Sequence, residues 1–341
     1  MSRLTRTMRK VISQDSSVEQ RARGLRNMLR FRLGRPITRR DFYASPQGEG
    51  SRLGIMAVGG CDAGTAVGAG PMLARSRHRP VCVAWIGRAP ETRSDLLVQT
   101  LNPPDPALTR EVSEKLGLDP DYFSPRLFVP DFTPPSQGGI GRFPVEAVVL
   151  SISTDTSRTL YRHREHGFLV DPGGWWLAGE MGEVLADKTI VKWFAENFEK
   201  IGRISLEDSM SNFERIVNEV RRASGAHVVV MNVLSVDPGS AALDYKFSNS
   251  PNRVRRREFN IALAELADRL GFPVLDVDRI AKSTGIAGQA DFVHYTPDQK
   301  RLISQDLIRI LSAAGLVPER QRRPGSRDRG ERSRPVERGA D

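Results

Sequence analysis

The chain has 341 residues, with 51 Lys and Arg against 41 Asp and Glu, so its formal charge is +10. A hydrophobic share of 39% beside 27% charged residues is typical of a globular protein, and no apolar run is long enough to span a membrane. The 2 cysteines cannot build a disulfide framework and lack CxxC spacing. The number and spacing of the cysteines argue against the usual structural zinc motifs and favour a reducing, cytoplasmic compartment.

The excess of positive over negative charge lies in the two ends of the sequence. Residues 1–40 carry a net +10, residues 318–341 a net +3, and the body between them a net −3. Within an N-terminal extension, residues 1–45, apolar positions recur every three or four residues from 17 to 33, which predicts a basic amphipathic helix. This helix either packs on the domain or contacts an anionic membrane or polyanion through residues 1–40, and no specific nucleic-acid site is predicted. The tail, residues 318–341, holds too few apolar side chains to fold and is predicted to be disordered.

Five short apolar runs in the body predict strands of a parallel sheet. They are continuous rather than alternating, as expected of strands covered on both faces, and they lie at 53–59, 80–86, 145–152, 227–234 and 272–277. Helical patterns fall between or after them at 206–223, 251–270 and 297–314, the last opened by a capping box at Thr296. The sequence therefore predicts one α/β domain, residues 46–317, with a three-layer open parallel sheet. Two segments with weaker patterns, about 89–144 and 171–201, are predicted to be insertions.

A glycine-rich turn, VGGCDAGT, follows the first predicted strand at residues 58–65. No dinucleotide-binding GxGxxG register fits the turn, and the phosphate-loop spacing from Gly59 to Gly64 lacks its lysine. Two interpretations remain open from the residues alone. The turn is a tight structural one with an inert cysteine, or it exposes Cys61 as a nucleophile with small neighbours that let a substrate approach.

A second signal lies at the other end of the domain, where Asp291 and His294 form a DxxH turn directly before the last predicted helix. Such a turn can aim a carboxylate at the imidazole ring, select its tautomer and stabilise the imidazolium that forms when the ring takes a proton. A lone histidine is more often a surface residue. Here, however, two partial signals fall at plausible carboxyl ends of strands in one sheet, which favours a site.

Four arginines, Arg253 and residues 255–257, stand near the start of the helix predicted at 251–270. Such a run is either a solvated helix face or a binding site for a phosphate or carboxylate.

With these motifs the chain resembles the SGNH/GDSL hydrolase superfamily, and most nearly its GSCFA-type branch, whose opening motif carries a cysteine. The likeness rests on the strand–GGC–helix start, the run VVLSISTD at 148–155 and the terminal DxxH, and it extends discontinuously over about 54–311. It implies an acyl-ester hydrolase or O-acyltransferase without cofactor or metal. The implied substrate is a small-molecule or glycan ester, on a carbohydrate or a similar hydroxyl-bearing compound.

The resemblance also implies a role for each matching residue. Cys61 would attack the ester and form a thioester, His294 would shuttle the proton, and Asp291 would orient His294. The oxyanion or substrate candidates are Gly60, Asp62, Gly87, Thr154 and Asp155. Asp155 departs from the family's asparagine, and an ionised carboxylate cannot donate a hydrogen bond to an oxyanion. The alternative is therefore a catalytically degenerate binding or scaffold protein with the same fold.

Overall fold

A computed structural model describes residues 40–44, 53–68, 81–86, 93–116, 118, 122–132, 142–171, 188–236, 251–285, 289 and 293–317. The strands are β1 (Arg40–Ala44), β2 (Leu53–Val58), β3 (Val81–Ile86), β4 (Asp131–Phe132), β5 (Phe143–Pro144), β6 (Ala147–Ser151), β7 (Leu160–His163), β8 (Leu169–Val170), β9 (Phe198–Gly202), β10 (His227–Met231) and β11 (Val274–Leu275). The helices are α1 (Cys61–Val67), α2 (Ser94–Gln99), α3 (Pro106–Leu116), α4 (Ser153–Ser157), α5 (Lys188–Asn197), α6 (Leu206–Ser224), α7 (Pro251–Leu270), α8 (Val277–Thr284) and α9 (Pro297–Ala313).

The central sheet has six strands in the order β1-β3-β2-β6-β10-β11. The last five of these strands are parallel to one another, and β1 pairs antiparallel with β3. Each of the five predicted apolar runs contains one of the parallel strands. The predicted α/β class with an open parallel sheet is therefore confirmed.

Side chains of the central strands alternate between two cores, one on each face of the sheet. In β2, Leu53, Ile55 and Ala57 join the core beneath α1, α8 and α9. Met56 and Val58 point to the other core, which is closed by α6 and α7. Because both faces are covered, the strand is apolar throughout, and this explains the continuous runs in the sequence.

The segments predicted to be insertions contain structure of their own. The first holds α2, α3 and the β4–β5 pair, and the second holds α5 and most of β9. β7 pairs with both β8 and β9 in a small antiparallel sheet that has its own aromatic-rich core. The strand β1 lies within the predicted N-terminal extension, so the sheet begins at Arg40 rather than after residue 45. The predicted helix at 17–33 and the tail at 318–341 lie outside the described residues.

Candidate functional site

The order of the strands places a crevice at the carboxyl ends of β2 and β6. The chain passes from β2 to β3 on one side and then returns to β6 on the other side. At such a switch point the connections leave the sheet in opposite directions, and open α/β sheets bind their ligands there. Cys61 begins α1 three residues after β2 ends, and its side chain is solvent-exposed. The predicted nucleophile therefore stands at the switch point.

Gly59 is required by packing rather than by access to substrate. A Cβ atom at this position would lie 2.6 Å from the Ala63 Cβ and 2.9 Å from the Ser151 Cβ. These contacts are shorter than real Cβ atoms make, so only glycine lets α1 approach the end of β6 this closely. At Gly60 the nearest atom to such a Cβ would be Asp62 Oδ1 at 3.3 Å, so a side chain there would be less crowded than at Gly59.

Asp62, which was predicted to be a substrate candidate, faces the interior with 1% of its surface exposed. Its Oδ2 accepts a short hydrogen bond from the Ser151 hydroxyl, and Ser151 Oγ in turn accepts from the Ser153 backbone N–H at 3.1 Å. Asp62 Oδ1 has no hydrogen-bond partner among the described residues. Asp62 therefore ties the start of α1 to the end of β6, and it does not point into solvent beside Cys61.

His294 is exposed and lies two residues before Thr296, the N-cap of α9. The predicted capping box is present: Gln299 N donates to Thr296 Oγ1 at 3.4 Å, and Thr296 N donates to Gln299 Oε1 at 2.8 Å. The helix packs against α1, because Ser304 Oγ donates to the Ala66 carbonyl at 3.2 Å and both helices contribute to one core. α1, which begins at Cys61, and α9, which begins shortly after His294, are thus direct neighbours. Asp291 and Gly87 lie outside the described residues.

Asp155 is fully buried, and other groups of the protein donate hydrogen bonds to its carboxylate. Oδ1 accepts from the Ser94 backbone N–H at 2.8 Å, and Oδ2 accepts from the hydroxyls of Ser94 at 2.5 Å and Ser209 at 2.6 Å. Burial raises the pKa of this carboxyl group to about 6, although the hydrogen bonds from the two serines oppose the rise. Asp155 joins α2, α4 and α6 in the interior, so this side chain cannot meet an oxyanion at Cys61.

Two threonines flank Asp155 in α4. The Thr156 hydroxyl donates to the Ser153 carbonyl at 2.7 Å. Thr154 is 6% exposed in the same short helix, at the end of β6 next to the switch point. Nothing in the sequence marked Ser94 and Ser209 as partners of Asp155, because they lie 61 and 54 residues away from it.

The arginine run is not simply a solvated face. Arg255 donates to the carbonyls of Asp155 at 2.9 Å, Thr156 at 3.1 Å and Ile204 at 2.5 Å. The next residue, Arg256, is only 4% exposed. The first turns of α7 therefore clamp the short helix that follows β6.

Among the described residues, no group of three or more His, Cys, Asp or Glu side chains is arranged to hold a metal ion. A separate search of the same part of the chain finds no helix that is long and apolar enough to cross a membrane.

Comparisons with known proteins find solved structures of similar fold but no match by sequence. No family model matches the chain, and no curated protein is significantly similar to it. A Geobacillus acetyl-xylooligosaccharide esterase matches 78% of this chain and 95% of its own, with 11% identity and a TM-score of 0.39. An extracellular lipase from Streptomyces rimosus matches 77% and 99%, with 11% identity and a TM-score of 0.36. A salicylyl-acyltransferase from a tetracycline biosynthetic pathway matches 80% and 57%, with 13% identity and a TM-score of 0.37. Likeness at this level says nothing about activity, which has to come from the residues of this chain.

Proposed function

We propose that this protein is an SGNH-like acyl-ester enzyme, an esterase or an O-acyltransferase, that uses Cys61 as its nucleophile. The observation that carries the proposal is the exposed thiol at the carboxyl end of the central strand β2, at the point where the strand order reverses. The exposed His294 supports it, since the helix it precedes packs on the helix that Cys61 begins. The GSCFA-type branch and a carbohydrate or similar hydroxyl-bearing substrate are parts of the same proposal.

The proposed reaction has two steps. The Cys61 sulfur attacks the ester carbonyl while His294 takes the thiol proton, and Asp291 holds the imidazole in position. The tetrahedral intermediate collapses, the C–O bond breaks, and the leaving alcohol takes the proton back from His294. The thioester is then cleaved by water in an esterase or by a second alcohol in an acyltransferase, and the thiol is restored.

The negative charge on the intermediate needs hydrogen-bond donors. Asp155 cannot provide one, because its carboxylate accepts three bonds in the interior. We assign one donor to Thr154, in the short helix that follows β6 at the switch point. We assign the second donor to the backbone N–H of Gly87, after β3. We assign Gly60, which precedes Cys61 and has no side chain, to the approach of the substrate.

The test is intact-mass analysis after reaction with p-nitrophenyl acetate. Wild type is expected to gain one acetyl group, Cys61→Ala none, and Cys82→Ala, the matched control at the other cysteine, one. His294→Gln should form the adduct more slowly. Absence of an adduct on wild type, or an undiminished adduct on Cys61→Ala, would falsify the proposed mechanism.

The degenerate binding or scaffold protein is the alternative. It was motivated by a carboxylate at the donor position, and that carboxylate is fully buried and bonded to Ser94 and Ser209. The rate of Cys61 alkylation by iodoacetamide against pH separates the two. The enzyme predicts that Cys61 is alkylated faster at neutral pH than an ordinary exposed cysteine, and the scaffold does not.

We further propose contact between residues 1–40 and an anionic membrane or polyanion, and a cytoplasmic location. The first rests on the net +10 of this segment and the second on the two cysteines without a disulfide framework. Removing residues 1–39 should abolish co-sedimentation with anionic liposomes and retention of DNA. Unchanged binding to both would contradict the proposed contact.

A further inference from the structure

The arginines of α7 stand at the same edge of the sheet as Cys61. The helix connects β10 to the parallel strand β11, so it runs back from the carboxyl edge and its first residues lie furthest out. Asn260 shows which part of α7 lies level with the end of β10. Its side chain accepts from Val233 N at 3.0 Å and donates to the Val233 carbonyl at 2.7 Å. Val233 is two residues past the end of β10. The part of α7 before Asn260, which includes residues 251–257, therefore extends beyond the ends of the strands.

The arginines divide between two sides of the helix. Arg253 and Arg257 precede Asn260 by seven and three residues and lie on its side of α7. Both are partly exposed, and Arg257 has no hydrogen bond or ion pair to any residue in the described part of the chain. Arg255 lies on another side of the helix and donates hydrogen bonds to three carbonyls in and near α4. These bonds hold the first turns of α7 in place.

We propose that Arg253 and Arg257 bind an oxyanion, a phosphate or carboxylate group, on the substrate of the Cys61 site. The planar guanidinium groups fit the oxygens of such groups. The carboxyl ends of β2 and β10 are two strands apart, which is about 10 Å. A substrate that carries an anionic group away from its ester carbonyl can contact both the arginines and the thiol. The role in substrate binding rests on the proposed function, whereas the anion site itself does not.

Calorimetric titration of the full chain with glucose 6-phosphate, glucuronate and glucose tests the anion site. We expect binding of at least one anionic sugar and none of glucose. In Arg253→Gln/Arg257→Gln the dissociation constant should rise at least about tenfold, since each charge-assisted contact is lost. If the double variant does not fold, the single variant Arg257→Gln is tested instead. It is expected to show a smaller rise in the dissociation constant. The matched control is Arg222→Gln, which removes an exposed arginine in the last turn of α6 and should leave binding within about twofold.

The second readout is protection of Cys61 from iodoacetamide by the bound anionic sugar. Binding with protection supports the proposal. Failure of both anionic sugars to bind, equal binding of glucose, or equal losses in the arginine variants and the control would overturn the anion site. Binding without protection would overturn its assignment to the substrate. If binding and protection are seen but p-nitrophenyl acetate leaves no adduct, the anion site stands and the proposed chemistry alone fails.

Discussion

The buried carboxyl group of Asp155 should make the stability of the fold depend on pH in a way that one substitution removes. Its pKa is raised from 3.8 to about 6 by burial. The folded state thus holds this proton more tightly than the unfolded state does. The resulting stabilisation is complete below the unfolded pKa and is lost as the pH rises through the folded one. A difference of about two pKa units corresponds to about 3 kcal/mol, of which about half falls between pH 5 and pH 8.

The perturbation is Asp155→Asn, which keeps the shape and removes the titration. The amide oxygen can accept from Ser94 N, and the amide nitrogen can donate to the two serine hydroxyls after they rotate. Urea unfolding of both proteins between pH 5 and pH 8 measures the difference in their free energies of unfolding. We expect this difference to move in favour of the asparagine variant as the pH rises.

Asp155→Ala is the contrasting variant. It leaves the Ser94 N–H and two hydroxyls without their acceptor, so it should lose about 3 kcal/mol or more at every pH in this range. A difference between wild type and Asp155→Asn that stays flat from pH 5 to pH 8 would show that the folded protein does not raise this pKa, and the reasoning would fail.

Two further predictions concern the crevice. Gly59→Ala should destabilise the fold by about 1–3 kcal/mol in urea unfolding, because the new Cβ meets Ala63 and Ser151, whereas Gly60→Ala should cost less; equal costs would contradict the close approach of α1 to β6. Thr154→Val should slow acetylation of Cys61 by about a hundredfold, because one oxyanion donor is lost; an unchanged rate would exclude the Thr154 hydroxyl as that donor.

The elements that the sequence predicts well are those whose signals are local. Continuous apolar runs locate the five parallel strands because both faces of each strand are covered. The capping box at Thr296 involves only neighbours in the chain, and it places the start of α9 correctly. β1 was missed, since residues 40–44 contain neither a long apolar run nor alternation, and a strand at the edge of a sheet needs neither.

The candidate site shows where local signals are insufficient. Cys61 and His294 could be proposed because each stands beside a recognisable turn. The direction in which Asp62 and Asp155 point depends on Ser151, Ser94 and Ser209, which are far away in sequence. From the sequence, a carboxylate beside a motif is easily predicted to contact the substrate. Only the fold shows that hydroxyl groups in the interior bind it instead.

The same dependence on distant partners explains why a run of arginines in the sequence does not by itself predict a solvent-exposed helix face. A guanidinium group can be buried when carbonyl oxygens accept its hydrogen bonds, and α4 turns two of its carbonyls toward Arg255. Asp62 fixes α1 to the end of β6, the chain continues directly into α4, and Arg255 fixes α4 to α7. One continuous set of contacts therefore connects the turn that carries Cys61 to the helix that carries Arg253 and Arg257. A substrate that spans them would meet groups already held in place, and little of its binding energy would be spent on ordering the protein.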